Sequence, residues 1–242
     1  MRAIVKGILA AASLTLSTAV ALAASLQVSP VLVQVPAPAK TTILKLKNIA
    51  ATPMTAQVRV YKWVQQDGTD KLIESKDVVA SPPMATVKPN GDFVIRLVRL
   101  SKAPMAGEES YRLLIDEVPE DSKTSGAAIK FAFRYSIPVF FGLKPDTKPA
   151  LDWSIENRGG KAVMTIRNTG GRRARLADLN IVSSSGQPVF ARGGLLGYVL
   201  AGSTASWPLK NSKGLTQGSS VEITALTEDG SLQAKIQVGA AQ

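Results

Sequence analysis

Apolar and polar residues alternate with period two through most of the chain. Residues 41–48 read TTILKLKN, with Leu44 and Leu46 on one face and Lys45 and Lys47 on the other. Residues 93–99, 111–115 and 128–141 repeat the alternation, which predicts half-buried antiparallel strands. Turn chemistry lies between them: Gln66-Asp67-Gly68, Ser81-Pro82-Pro83, Pro89-Asn90-Gly91 and the polar stretch 119–126. The second half predicts seven shorter strands, at 151–156, 162–168, 174–183, 196–200, 204–209, 221–226 and 232–238. Asn157-Arg158-Gly159-Gly160, Ser185-Gly186, Gly193-Gly194 and Glu228-Asp229-Gly230 are read as connectors. Such spacing fits a β-sandwich. No stretch carries the period of an ordinary amphipathic helix. Gly142 to Pro149 holds two prolines and a glycine and reads as a stiff hinge, so the expected division is 24–145 and 146–242.

One predicted strand is out of proportion. Residues 127–141, AAIKFAFRYSIPVFF, exceed the usual strand of about five or six residues. Ile129, Phe131, Phe133, Tyr135, Ile137 and Val139 form one apolar row, and Lys130, Ala132, Arg134 and Ser136 face the other way. Pro138 cannot donate to a ladder, which favours an edge or a bulge there. A long aromatic edge strand invites intermolecular pairing. The row either fills its own core or is offered outside it, and the pattern alone leaves both readings open.

Composition narrows the chemistry. The 242 residues include no Cys and no His, which excludes a Ser-His-Asp triad, a Cys nucleophile, a His or thiolate zinc site and a disulfide framework. The carboxylates Asp152, Asp178 and Glu222 are scattered as surface residues are, rather than as an acid/base pair. No catalytic residue, metal site or cofactor is expected. Residues 1–23 place Arg2 and Lys6 ahead of an Ala/Leu-rich run that ends in Ala21-Leu22-Ala23, the pattern of a secretory signal peptide cut before Ala24. The mature chain is expected to be exported and not inserted in a membrane. The net charge of +11 is spread over both halves, and the densest cluster, Arg172-Arg173-Ala174-Arg175, is short. Nucleic acid is therefore not an expected partner.

Several spaced segments resemble the periplasmic chaperones of chaperone–usher pilus assembly. They are Val28-Ser29-Pro30, Ser81-Pro82-Pro83, Val87-Lys88-Pro89-Asn90-Gly91, Ile95-Arg96-Leu97, Glu109-Ser110-Tyr111-Arg112, Asp116-Glu117-Val118-Pro119, the strand from Tyr135 to Phe141, and Thr227-Glu228-Asp229-Gly230. In SIPVFF the chain looks most like the archaic, spore-coat-U-like branch. The resemblance implies an all-β protein of two immunoglobulin-like β-sandwich domains arranged as an L. It implies a periplasmic chaperone, not an enzyme, that lends a strand to pilus subunits and delivers them to an outer-membrane usher. Self-association of the free protein is left open. The donor row it implies is Ile129, Phe131, Phe133, Tyr135 and Ile137.

Departures from the family pattern are informative. Many members clamp a subunit's terminal carboxylate with an Arg and a Lys, whose positions here match Leu32 and Pro138. Neither binds an anion, so Arg96 and Arg134 are the expected replacements, unless each pairs with an acid such as Asp116 or Glu117. The family's interdomain tie matches Glu109 and Asp229, but its usual Arg aligns with Gly142, which leaves Lys144 as the expected base. A structural pilus subunit or adhesin, or an exported carbohydrate-binding protein, is the alternative reading.

Overall fold

The computed structural model describes residues 26–118, 132–158, 161–210 and 214–239. The signal segment, Ile129 and Phe131 lie outside the described residues. Ten strands make the first sandwich: β1 (Leu26–Ser29), β2 (Val33–Pro36), β3 (Thr41–Asn48), β4 (Met54–Gln66), β5 (Thr69–Glu74), β6 (Val78–Ser81), β7 (Met84–Val87), β8 (Asp92–Arg99), β9 (Glu109–Val118) and β10 (Arg134–Leu143). One sheet has the order β1-β3-β8-β6. The other has the order β2-β10-β9-β4-β5, with β7 also on β4. Alternation decides the core: Leu44, Leu46, Ile95 and Leu97 from the first sheet meet Val58, Leu113, Ile115 and Val139 from the second. Each such side chain contributes about 1.5 to 3 kcal/mol on leaving water.

The second sandwich holds β11 (Leu151–Arg158), β12 (Lys161–Asn168), β13 (Ala174–Ser183), β14 (Pro188–Val199), β15 (Thr204–Pro208), β16 (Ser220–Thr227) and β17 (Gly230–Gln237). Its sheets have the orders β11-β12-β15 and β14-β13-β16-β17. Gly193 and Gly194, expected to connect strands, instead lie inside β14. The pairing of β13 with β14 shifts register nearby, so the glycines serve an irregular ladder rather than a turn. The chemistry of Gln66-Asp67-Gly68 proves to be the tip of a long hairpin. Asp67 and Gly68 carry φ of 53° and 74°, and β4 pairs β5 from Tyr61–Glu74 to Gln66–Thr69.

A third apolar cluster sits between the sandwiches. Trp63 and Phe140 come from the first and Tyr198 and Leu200 from the second, with Leu32 and Leu143 packed against them. Polar bonds fix its rim. The Gln65 side chain donates to the carbonyl of Tyr198 at 2.8 Å and accepts from the amide of Leu200 at 3.0 Å, while Ser206 N–H donates to the carbonyl of Gly68 at 2.8 Å.

Candidate functional site

The two halves of β10 differ because their neighbours differ. On one side it pairs antiparallel with β9, from Arg134–Asp116 to Phe141–Glu109. On its other side β2 pairs with it only from Val139 onward, in parallel. The edge from Arg134 to Pro138 is therefore unpaired among the described residues. Pro138 is the last residue of this edge, a place where a missing N–H costs little.

Side-chain burial follows the same division. Phe133, just before the strand, is 36% exposed, Tyr135 is half-buried, and Ile137 is 3% exposed within the first core. Tyr135 also anchors itself across the sandwich, its hydroxyl donating to the carbonyl of Leu26. The expected apolar row thus splits: Ile137 belongs to its own core, whereas Phe133 stands outside it. On the opposite face Arg134 and Ser136 are exposed, but Pro138 and Phe140 are buried where the second sandwich covers the sheet.

Arg96 and Arg134 do not converge on one anion. Arg96 is exposed on β8, beside Ile43 and Ser81 on the neighbouring strands of the other sheet. Arg134 donates to Asp116, whose second oxygen accepts from Arg59 at 2.5 Å. Burial works to raise the Asp116 carboxyl, but the hydrogen bonds from Arg134 and Arg59 outweigh it and hold the group below its ordinary range. Arg134 is therefore committed to its neighbouring acid.

The interdomain tie lies one residue away from the expected acids. Glu109 turns inward and accepts from Arg99 at 2.6 and 2.7 Å, with Tyr111 adding a bond at 3.1 Å. Asp229 accepts from Arg172 within the second sandwich. Lys144 is exposed and forms no ion pair among the described residues. The tie itself is Glu108–Arg173–Glu228. Arg173 donates from its backbone N–H and one guanidinium nitrogen to Glu108, at 3.0 and 2.6 Å, and from the other to Glu228 at 2.9 Å. Its guanidinium carbon lies 3.7 Å from the centre of the Phe140 ring.

The reason for the displaced base is steric. Gly142 has φ of 79°, and a Cβ there would stand 2.6 Å from the carbonyl oxygen of Gly107, so no Arg fits where the family pattern places one. Burial pushes the Glu108 carboxyl above its ordinary range against the pull of Arg173, whereas the hydrogen bond from Arg99 lowers that of Glu109.

One residue of this face was missed in the sequence. Arg112 lies on β9 directly opposite Tyr61 on one side and Pro138 on the other. Its guanidinium stacks 3.8 Å from the centre of the Trp63 ring and 5.8 Å from that of Tyr198. It is half-buried, and burial lowers its pKa while Asp70 acts through space in the other direction. Among the described residues no carboxylate or carbonyl accepts a hydrogen bond from it. The strand context marked Arg112 only as an alternate-face residue, and nothing local announced the aromatic cup.

Asp152, Asp178 and Glu222 are exposed on strands β11, β13 and β16, and Asp178 accepts from the amide of Gly194 at 2.7 Å. Among the described residues no group of three or more acids could hold a metal, and no helix is long and apolar enough to cross a membrane.

Residues 25–147 match the family described as pili and flagellar-assembly chaperone, PapD N-terminal domain. The chain belongs to this family. A chaperone from Acinetobacter baumannii, CsuC, solved in a pre-assembly complex with the tip adhesion subunit CsuE of archaic Csu pili, is 28% identical. The alignment covers 90% of this chain and 100% of that one, at a TM-score of 0.69. The fold is shared with the Pseudomonas aeruginosa CupB2 chaperone, at 20% identity, coverage of 88% and 100% and a TM-score of 0.56. It is also shared with a structure of the Salmonella enterica SafA pilin in complex with the SafB chaperone, at 17% identity, coverage of 88% and 96% and a TM-score of 0.60. No curated protein matches. The chain is an assembly chaperone of two immunoglobulin-like domains related to the archaic branch, and the reading as a pilus subunit or carbohydrate-binding protein is not favoured.

Proposed function

We propose that this chaperone acts in the periplasm, without catalysis, by lending the free edge of β10 to a pilus subunit that lacks a strand, and that it passes the subunit to an outer-membrane usher. The observation that carries the reading is the one-sided pairing of Arg134 to Pro138 beside an exposed Phe133. Backbone groups on that edge supply affinity without demanding a sequence, and alternate large side chains fill a partner's pockets. Phe133 leads that row, and the alternation continues it upstream to Phe131 and Ile129. Ile137 holds the donor in its own sandwich and Tyr135 marks the transition.

The experiment is co-expression of the full chain with the pilus subunit it protects. Phe133→Asp should sharply reduce soluble subunit while leaving the chaperone folded. Undiminished recovery of subunit with this variant and with Phe131→Asp contradicts the donor role.

A further inference from the structure

The outer face of the β1-β3-β8-β6 sheet is neither uniformly polar nor neutral. A sheet that packs one side on a core normally gives its other side polar residues. Here Ile43 and Val94 are each 48% exposed near the middle of that face. Register sets Ile43 opposite Arg96 and Lys45 opposite Val94, so two aliphatic side chains take one diagonal of a square and two cations the other. Val98 and Val79, paired in the next row of the same face, extend the apolar part. Lys47 extends the basic part, opposite Asp92, which is the one acid on this face among the described residues.

The charge of Lys45 and Arg96 is not met within the protein. Among the described residues neither has a hydrogen bond or an ion pair. The sheets of the second sandwich differ: Asp152 stands opposite Arg167, and Glu222 opposite Lys235. Both β3 and β8 are internal strands with a neighbour on each side. A peptide laid across them finds no free ladder, because backbone donors and acceptors lie in the plane of the sheet and not on its face. An anionic bilayer needs none. Cations attract its headgroups, and short aliphatic side chains enter the interface.

We infer that this face docks the chaperone on a bilayer that carries anionic phospholipid headgroups. Lys45, Lys47 and Arg96 meet the phosphates, and Ile43 and Val94 enter between them. The strand β10 belongs to the other sheet of the sandwich, so lipid docking and strand donation use different surfaces.

The test is cosedimentation of residues 24–242 with vesicles of phosphatidylcholine and phosphatidylglycerol in a two-to-one ratio, or of phosphatidylcholine alone, in about 0.1 M salt. Wild type should sediment with the anionic vesicles and not with the neutral ones. Lys45→Glu with Arg96→Glu should weaken that binding roughly tenfold or more, the scale set by two basic residues near an anionic surface. Lys161→Glu with Arg192→Glu makes the same change of net charge on the second sandwich and should alter binding by no more than about threefold. Equal weakening by the two pairs would reduce the effect to net charge and overturn the assignment to this face. Absence of wild-type binding to anionic vesicles overturns bilayer docking, including the case in which soluble polyglutamate binds instead. Should the glutamate pair on the first sandwich fail to fold, Lys45→Gln with Arg96→Gln makes the same comparison with a smaller loss.

Discussion

Arg173 and Arg112 both sit against aromatic rings where the two sandwiches meet, yet they are equipped for different tasks. Arg173 has a wholly buried side chain and is held by Glu108 and Glu228 from opposite sides of the hinge. Arg112 keeps part of its surface in solvent and stacks on Trp63 with no acid upon it. A buried pair is costly to break because removing one partner strands the other charge. Arg112 leaves no such orphan. The contrast separates an arginine that ties the two sandwiches through carboxylates from one that only stacks on aromatic rings.

The largest expected effect follows from that difference. Arg173→Met leaves Glu108 buried without its partner and should cost about 3 to 5 kcal/mol in denaturant unfolding. Arg112→Met should change stability by no more than about 1 kcal/mol, since only a stacked contact is lost. Equal losses would erase the distinction.

The two ends of the donor row give the next contrast. Ile137→Ala removes a side chain from the first core and should cost about 2 to 5 kcal/mol. Phe133→Ala, on an exposed side chain, should stay within about 0.5 kcal/mol in the same measurement while weakening subunit capture. Comparable destabilisation by both would place Phe133 in the core after all.

The smallest effect is one of pH and concerns two adjacent glutamates. The depressed Glu109 carboxyl contributes stability that is present above its unfolded value, about 4.3, and is lost as pH falls through its lower folded value. Glu108 has the opposite sign. Its folded value is raised, so the folded state holds its proton more tightly and stability falls as pH rises from that ordinary value through the raised one. In thermal midpoints measured across the acid range, Glu109→Gln should flatten the loss on acidification, and Glu108→Gln should remove the opposing slope. Parallel responses of the two variants would contradict the assignment of the tie to Glu108.

What the sequence made legible was whatever repeats along a strand. Period-two alternation marked β3 and β13 at their observed limits, and the glycine-rich turns marked most of their neighbours. Hidden in the sequence were contacts between segments far apart in the chain. Glu108 and Glu109 are adjacent, and only the pleat decides that one crosses the hinge while the other turns to Arg99. The move of the interdomain base to Arg173 depends on the carbonyl of Gly107 standing where a Cβ on Gly142 would be. Arg112 became visible only when the second sandwich brought Tyr198 beside Trp63. Likewise, the alternation from Phe133 to Val139 is unbroken, and the point at which it passes from open to covered is set by β2, a strand of only four residues.

Amide hydrogen exchange along β10, in the chaperone alone and bound to a pilus subunit, tests the central claim most directly. Amides of Arg134 to Ile137 not engaged with β9 should exchange freely in the chaperone alone and slowly in the complex, while those of Val139 to Phe141, already flanked by β2, change little. A stable complex in which the Arg134 to Ile137 amides exchange as they do in the free chain would contradict strand donation by this edge.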